Sequence, residues 1–328
     1  HPVAHSFPTR RSSDLMPSLW LILTGRTNRQ CLPDEPAAAW ISRNFSKEFC
    51  ENTINPLAGL YFLQDPGTLS RNDFLATIRY LSRIRLCVFE KGMGRLTAAL
   101  AKLVNVRLGA GVKHLQLKNS HIEISGGNFR EKFEGSVIAT PLSQLSFLIG
   151  KYLPPTTIKA VFRLRYAASI SVGFLMEGKW PRIALQVLPP RNGSGSACGM
   201  TIERAKHPNR VPEGHEMITF YARPDRVQEL WLKSDNELSI IFSSELENWF
   251  PGMKVRIVKH WVQRWREAAA FSDPGAAQRL IKIRKGFSEL ARRSPVWFAG
   301  DFLGSSSLEG AVKSGEKAAR DCIDSLIR

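Results

Sequence analysis

The feature that most restricts what this chain can fold into is the stretch 296–320 near its end, V-W-F-A-G-D-F-L-G-S-S-S-L-E-G-A-V-K-S-G-E-K-A-A-R. Its first four residues are apolar and read as a buried strand, which Gly300-Asp301 stops. A loop of small residues runs on to Ser307, and a helix is expected from Leu308 or Glu309. Gly310, Ala311, Ser314, Gly315, Ala318 and Ala319 recur on that helix at three- and four-residue intervals, so one face is nearly bare backbone. Such a face admits close approach by something flat and rigid. The helix N-terminus turns N–H groups and partial positive charge toward whatever lies there. Tight packing of a helix on a sheet would use the same residues, so the spacing alone leaves both readings open.

The rest of the composition narrows the setting. Of 328 residues, 43% are hydrophobic, enough for one large domain or two. Residues 7–15, F-P-T-R-R-S-S-D-L, read as translated adapter DNA, so residues 1–15 are set aside as a non-native leader and Met16 is taken as the natural start. The formal net charge is +17, which suits anionic partners. Charge is densest over residues 254–293, where Trp261, Trp265 and Phe271 also lie, so peripheral contact with an anionic membrane is one expectation. No nucleic-acid module motif is visible, and nucleic acid is not expected as a partner. Cys31, Cys50, Cys87, Cys198 and Cys322 are scattered without a C-x-x-C pair. That argues against a disulfide framework, points to a reducing, cytoplasmic compartment and offers no metal-ligand spacing. Apolar runs such as residues 19–23 are far too short to span a bilayer.

Along the chain, Asp34 and Glu35 sit where a helix cap and first turn belong, followed by Pro36. Trp40, Ile41, Phe45, Phe49 and Ile54 continue at helical spacing, Pro56 is expected to end that helix, and Gly59 to permit a turn. Residues 86–90 read as a strand running into Gly92-Met93-Gly94 and then a helix. Thr97 stands where a dinucleotide fingerprint needs its third glycine, so this is not a pyrophosphate loop. Strands are expected at residues 106–109, 112–115, 122–124 and 136–141, with Gly126-Gly127-Asn128 as a hairpin turn. Pro154-Pro155 breaks the chain before strand-like runs at residues 167–175, 183–187, 197–202 and 217–221. Helices follow from about Arg226 and over residues 236–249, stopped by Pro251-Gly252. Residues 255–265 read as a strand with a helical or turn continuation. His207, His215 and His260 are scattered and read as structural or exposed.

Taken together, the strand, Gly-Asp, loop and E-G-A-V-x-S-G-x-x-A-A string resembles the C-terminal FAD-binding motif of the flavin-dependent amine oxidase superfamily, which includes amine oxidases, protoporphyrinogen oxidases and phytoene desaturases. Three earlier motifs occur in the superfamily's order. K-G-M-G-R-L at residues 91–96 is similar to its G-G-M-G-R-L turn beside the flavin, with Lys91 in place of the first glycine. V-R-L-G-x-x-V at residues 106–112 and V-I-A-T-P at residues 137–141 are similar to its FAD-domain middle section. Residues 32–69, with N-P-L-x-x-G ahead of D-P-x-x-L-S, resemble the helical part of its substrate domain.

The resemblance implies an α/β fold, α+β overall: a partial FAD-binding Rossmann-like domain plus a substrate domain of mixed sheet and helices. After the leader, residues 16–87 would be the helical part of the substrate domain and 88–150 the middle of the FAD-binding domain. Residues 151–290 would be the mixed-sheet part of the substrate domain and 291–328 the closing strand–loop–helix. No strand–G-x-G-x-x-G–helix occurs upstream of Leu32, so the resemblance spans the C-terminal two-thirds of the family. A truncated fragment that holds FAD weakly or not at all is expected. The implied FAD contacts are Gly92, Met93, Gly94, Arg95, Val112, Ala139, Thr140, Pro141, Gly300, Asp301, Leu308, Glu309, Gly310 and Ala311. Val112 would touch the adenine, although by itself it reads as plain core, and Asp301 would hydrogen-bond the ribityl chain. The implied reaction takes hydride from a C–N or C–C bond of a small amine or porphyrinogen-like substrate to flavin N5. No catalytic side chain and no metal site is legible. The competing readings are a non-catalytic remnant and a basic protein that binds membrane surfaces or nucleic acid.

Overall fold

The structure is a computed structural model that describes residues 33–81, 87–89, 92–178, 180, 184–189, 195–304 and 306–327. In chain order the helices used below are α1 (Ala37–Asn44), α2 (Asn55–Phe62), α3 (Arg71–Leu81), α4 (Gly94–Ala101), α5 (Leu142–Ile149), α6 (Pro155–Arg163), α7 (Asp235–Trp249), α8 (Ala276–Ala291) and α9 (Leu308–Ile327). The strands are β1 (Val112–Leu117), β2 (Ile122–Gly126), β3 (Arg130–Phe133), β4 (Ser136–Ile138), β5 (Tyr166–Glu177), β6 (Gln186–Val187), β7 (Ala197–Ile202), β8 (His215–Ala222), β9 (Arg256–Ala270) and β10 (Val296–Phe298). Helices and sheets are mixed, as the α/β reading expected. They form two compact units. The first takes the described residues up to Leu103 with Ala167–Ala268 and Ser272–Pro274; the second takes Val104–Tyr166, Ala269–Phe271 and the described residues from Gly275 on.

The first unit is built on a five-stranded sheet in the order β6-β7-β8-β5-β9. Period-two patterning sets its faces: along β8, Glu216, Ile218, Phe220 and Ala222 are buried and the residues between them are not. Phe220 pairs with Val172 on β5 and with Met200 on β7. Its ring meets those of Phe174, Phe242 and Trp249, the last two carried by α7. That helix starts at a capping box, Ser234 accepting from the Glu237 N–H while the Glu237 carboxylate accepts from the Ser234 N–H. Glu245, also on α7, is buried because its carboxylate accepts from the Ser196 N–H and from Trp249 Nε1.

Several local expectations are corrected here. The helix over residues 34–54 breaks where Phe45 turns extended (φ −135°, ψ 155°), and a wide π-type turn at Cys50–Ile54 precedes α2. Pro56 lies in the first turn of α2 and so opens a helix, where its missing N–H would have had no partner. Gly59 is inside α2, not in a turn: a Cβ there would come within 2.9 Å of the Cys198 Cβ on β7. Asp34 and Glu35 do not cap α1. Asp34 accepts from the Ser70 hydroxyl, and Glu35 pairs with Arg43 and Arg71, whose guanidiniums, Arg43 foremost, hold it below the usual carboxylate range. Residues 87–89 and 106–109 form no strand, and residues 86 and 90 lie outside the described ones. Residues 256–265 belong to a strand that continues to Ala270 without a helical turn, Val255 preceding it, and of residues 183–187 only β6 is a strand, residue 183 lying outside the described ones.

Burial in this core has a measurable cost in alkali. Desolvation pushes the Cys198 thiol up to about 12. The folded form therefore keeps its proton while the unfolded chain loses it near pH 8.5, so the contribution is complete below about pH 8.5 and is lost as pH rises toward 12. Between pH 8 and pH 10 the stability from urea unfolding is expected to fall by about 2 kcal/mol more in the parent than in Cys198→Ala. Equal losses in the two proteins would refute this.

In the second unit β1, β2 and β3 form an antiparallel sheet, with Gly126-Gly127-Asn128 turning β2 into β3 as expected. β4 and β10 form a separate parallel pair, Val296 opposite Ser136 and Phe298 opposite Ile138. Pro155 opens α6 instead of interrupting the chain, again through its place in the first turn. α8 was not anticipated, although Ile283, Phe287 and Leu290 follow helical spacing after Pro274-Gly275. These helices share one core with α5 and β10, in which the Phe287 and Phe298 rings stack at 4.0 Å.

Candidate functional site

β10 is buried throughout and lies parallel to β4, so both strands end on the same side. The Ala299 N–H donates to the Ile138 carbonyl at 3.0 Å, which brings Ala139, Thr140 and Pro141 beside Gly300 and Asp301. Gly300 (φ 156°) has no room for a side chain, because a Cβ would overlap the Phe302 ring. Its N–H donates to Ser314 Oγ on α9 at 2.9 Å, and that hydroxyl donates on to the Ala311 carbonyl. The loop that follows is held from two sides. Asp301 accepts from Ser306 Oγ at 2.8 Å, while Ser306 itself accepts from the Ala270 N–H at 2.9 Å. Arg284 on α8 donates to the Leu303 carbonyl, through Nε at 3.0 Å and through a second guanidinium nitrogen.

The start of α9 is capped by Ser307, whose hydroxyl accepts from the Gly310 N–H at 3.0 Å and whose carbonyl accepts from the Ala311 N–H. Not every amide of that first turn is therefore open to a ligand. Leu308 is exposed, and Glu309 pairs with Lys313. The small-residue face divides. Ala318 packs with Trp297 and Ala299, so part of the face serves ordinary helix–strand packing. A Cβ added at Gly315 would meet nothing within 4 Å, so packing among these residues does not demand that glycine. Thr140 Oγ1 is buried at the strand ends with no hydrogen-bond partner among the described residues.

The remaining sequence-derived residues are carried by other elements. Val112 begins β1, opposite Gly126 in the three-stranded sheet, and is 41% exposed, which removes the plain-core reading. Gly92, Met93, Gly94 and Arg95 belong to the first unit, at the start of α4. Gly92 takes φ +91° and its N–H donates to the Phe89 carbonyl, while the next three are exposed. The histidines hold local contacts: His207 Nδ1 accepts from the Asn209 N–H, His215 Nδ1 lies 3.0 Å from the Glu213 carbonyl, and His260 is half-buried on β9. Among the described residues no group of His, Cys, Asp or Glu could hold a metal ion, and no helix is long and apolar enough to cross a membrane. Sequence reasoning missed Ser306 and Arg284, and named Ser314 only as a small residue of the helix face, not as the partner of the Gly300 amide. A serine run directly before a helix is a capping signal that could have found Ser306 and Ser307, whereas nothing in the sequence ties Arg284 to Leu303.

The strand ends, the Gly300-Asp301 loop and the head of α9 form one constellation. The orphaned Thr140 hydroxyl and the open space at Gly315 fit a group lying across it. Among solved structures, a putrescine oxidase bound to putrescine is similar with a TM-score of 0.75 and 16% identity, over 97% of this chain and 77% of that one. Cyclohexylamine oxidase from Brevibacterium oxydans IH-35A is similar at 0.68 and 14%, over 100% and 77%. Reduced UDP-galactopyranose mutase is similar at 0.63 and 12%, over 89% and 67%, so the fold also carries a different chemistry. No curated protein matches the sequence. The model of one family, flavin containing amine oxidoreductase, matches residues 17–323. With almost its whole length covered by that match, the chain belongs to the flavin-containing amine oxidoreductase family.

Proposed function

We propose that the flavin of this oxidoreductase is FAD, and that it binds where β4, β10 and the head of α9 meet. The observation that carries the proposal is the Thr140 hydroxyl, buried without a partner beside the Gly300-Asp301 turn. A hydroxyl desolvated in this way costs stability unless a ligand supplies its hydrogen bond. The Ser306 bond fixes the Asp301 carboxylate, which accepts from sugar hydroxyls of the ribityl chain; a phosphate there would meet like charge. The first turn of α9 adds partial positive charge where negative charge gathers on the reduced cofactor. When bound, flavin supplies the acceptor for a hydride leaving a C–N or C–C bond. Residues 88–150 and 291–328 are read as the FAD-binding domain and residues 16–87 and 151–290 as the substrate domain. The substrate is read as a small amine or a porphyrinogen-like molecule. The neighbours that carry amine names support the first, and the charge of +17 suits the carboxylates of the second.

Equilibrium titration of FAD, followed by quenching of its fluorescence, is the direct test. Asp301→Ala is expected to weaken binding by about 10- to 100-fold, the range for losing a hydrogen bond to a charged group. Unchanged affinity, with an unchanged circular dichroism spectrum, would remove Asp301 from the site.

A further inference from the structure

Residues 135–176 contain no Asp or Glu, and neither do residues 276–288. The first stretch holds α5 and α6, and the second holds most of α8. α6 packs against both other helices, and their inner residues Leu145, Ile149, Ala160, Val161, Ile283 and Phe287 share one core, so the three form a layer. The α6–α8 contact is close enough that a Cβ on Gly286 would overlap the Thr157 side chain. Helical spacing then turns Phe147, Phe162 and Ile281 away from that core. They are 75%, 71% and 64% exposed.

Lys159, Arg163, Lys282 and Lys285 are exposed on the same helices and form no ion pair among the described residues. α9 provides the contrast within the same unit: Lys313 pairs with Glu309 and Lys317 with Asp321, the usual arrangement of a solvated helix. A single exposed apolar residue needs no explanation. Two phenylalanines more than 70% exposed, among cations whose helices carry a single acidic residue, the half-buried Glu289 at the end of α8, have the composition of a surface that lies on anionic lipid. Of the aromatic residues named for the charge-dense stretch 254–293, Trp261 packs over Gly173 and Phe271 lies under the Arg165 guanidinium, while Trp265 is exposed but belongs to the first unit, not to that of these helices.

We propose that the outer face of α5, α6 and α8 docks on an anionic membrane surface. Phe147, Phe162 and Ile281 enter the headgroup boundary, and Lys159, Arg163, Lys282 and Lys285 lie against lipid phosphates. Each such cation strengthens attachment about fivefold, and salt screens the attraction over about a nanometre.

Sedimentation with vesicles of phosphatidylcholine and phosphatidylglycerol tests this directly. The parent chain is expected to pellet with them at low salt, to be released as salt rises, and to ignore vesicles of phosphatidylcholine alone. Phe147→Ser/Phe162→Ser is expected to lower the partition constant at least tenfold, from the lost apolar burial. Lys282→Gln/Lys285→Gln is expected to lower it about 25-fold. Lys313→Gln/Lys317→Gln on α9 is the control and is expected to change it little. All of these positions are exposed, and circular dichroism verifies that each variant folds. A parent chain that stays in the supernatant, equal binding to both vesicle types, or full binding by the Phe147→Ser/Phe162→Ser variant would each overturn the proposal. Tighter binding of a single-stranded oligonucleotide, lost in the same variants, would overturn it in favour of nucleic acid.

Discussion

Phe220→Ala is expected to destabilise the first unit by about 3–5 kcal/mol, the range for deleting a fully buried phenylalanine. Phe220 has no solvent exposure, and its ring lies 6.2 Å from Phe174, 5.8 Å from Phe242 and 5.2 Å from Trp249, so no neighbour can easily collapse into the space left behind. Urea unfolding followed by tryptophan fluorescence reads this loss directly, because Trp249 reports from the same cluster. Two compact units need not unfold in one step, so the shift is sought in the transition that Trp249 reports. Phe220→Leu keeps most of the volume and is expected to cost about 1–1.5 kcal/mol. A loss below about 1 kcal/mol for the alanine variant would show that the sheet and α7 do not meet at this ring.

The second large effect comes from adding one carbon. A Cβ on Gly173 would overlap Cε2 and Cζ2 of Trp261, whose indole lies over β5 where a side chain would otherwise stand. A flexible side chain could swing away, but a rigid indole must move as a whole or push the strands apart. Gly173→Ala is expected to cost about 1–3 kcal/mol, as overpacking does, and Gly173→Leu more. The decisive measurement is a double-mutant cycle. With Trp261→Ala in place the clash is gone, and Gly173→Ala is expected to become neutral or stabilising by about 0.5–1 kcal/mol, because alanine loses less backbone entropy than glycine. Additive losses in that background would mean that the indole does not cover Gly173.

Elements that state their reasons locally were legible. Four apolar residues, Gly-Asp and a series of small residues were enough to place β10, the turn at Gly300 and α9, because each residue type does there what it does in isolation. The β2–β3 hairpin and α7 were legible for the same cause, through a glycine turn and flanking signals. Prolines misled, because a proline that cannot continue a helix can start one, and only the partner surface decides which: Pro56 and Pro155 both start helices. β9 continues through residues that would suit a helix because its neighbour β5 supplies the ladder, a tertiary override of propensity. At the site, Asp301 and Thr140 were named from their motifs. Their supports were not, since Arg284, Ser306 and the Ala270 amide meet only once distant segments have folded together.

The pairing of β4 with β10 also sets a timetable for the ribosome. The second unit is discontinuous, with Ala167–Ala268 intervening between its parts. Ser136–Ile138 leaves the exit tunnel with its hydrogen-bonding edge unmatched until β10 is made roughly 160 residues later, on the order of 10–30 s at ordinary elongation rates. Ile138, Leu145 and Ile149 wait through that interval without Phe287, Phe298 or Phe302 to complete their core. Nascent chains stalled before residue 296 should therefore engage holdase chaperones through this segment, and release should follow synthesis of the last helix.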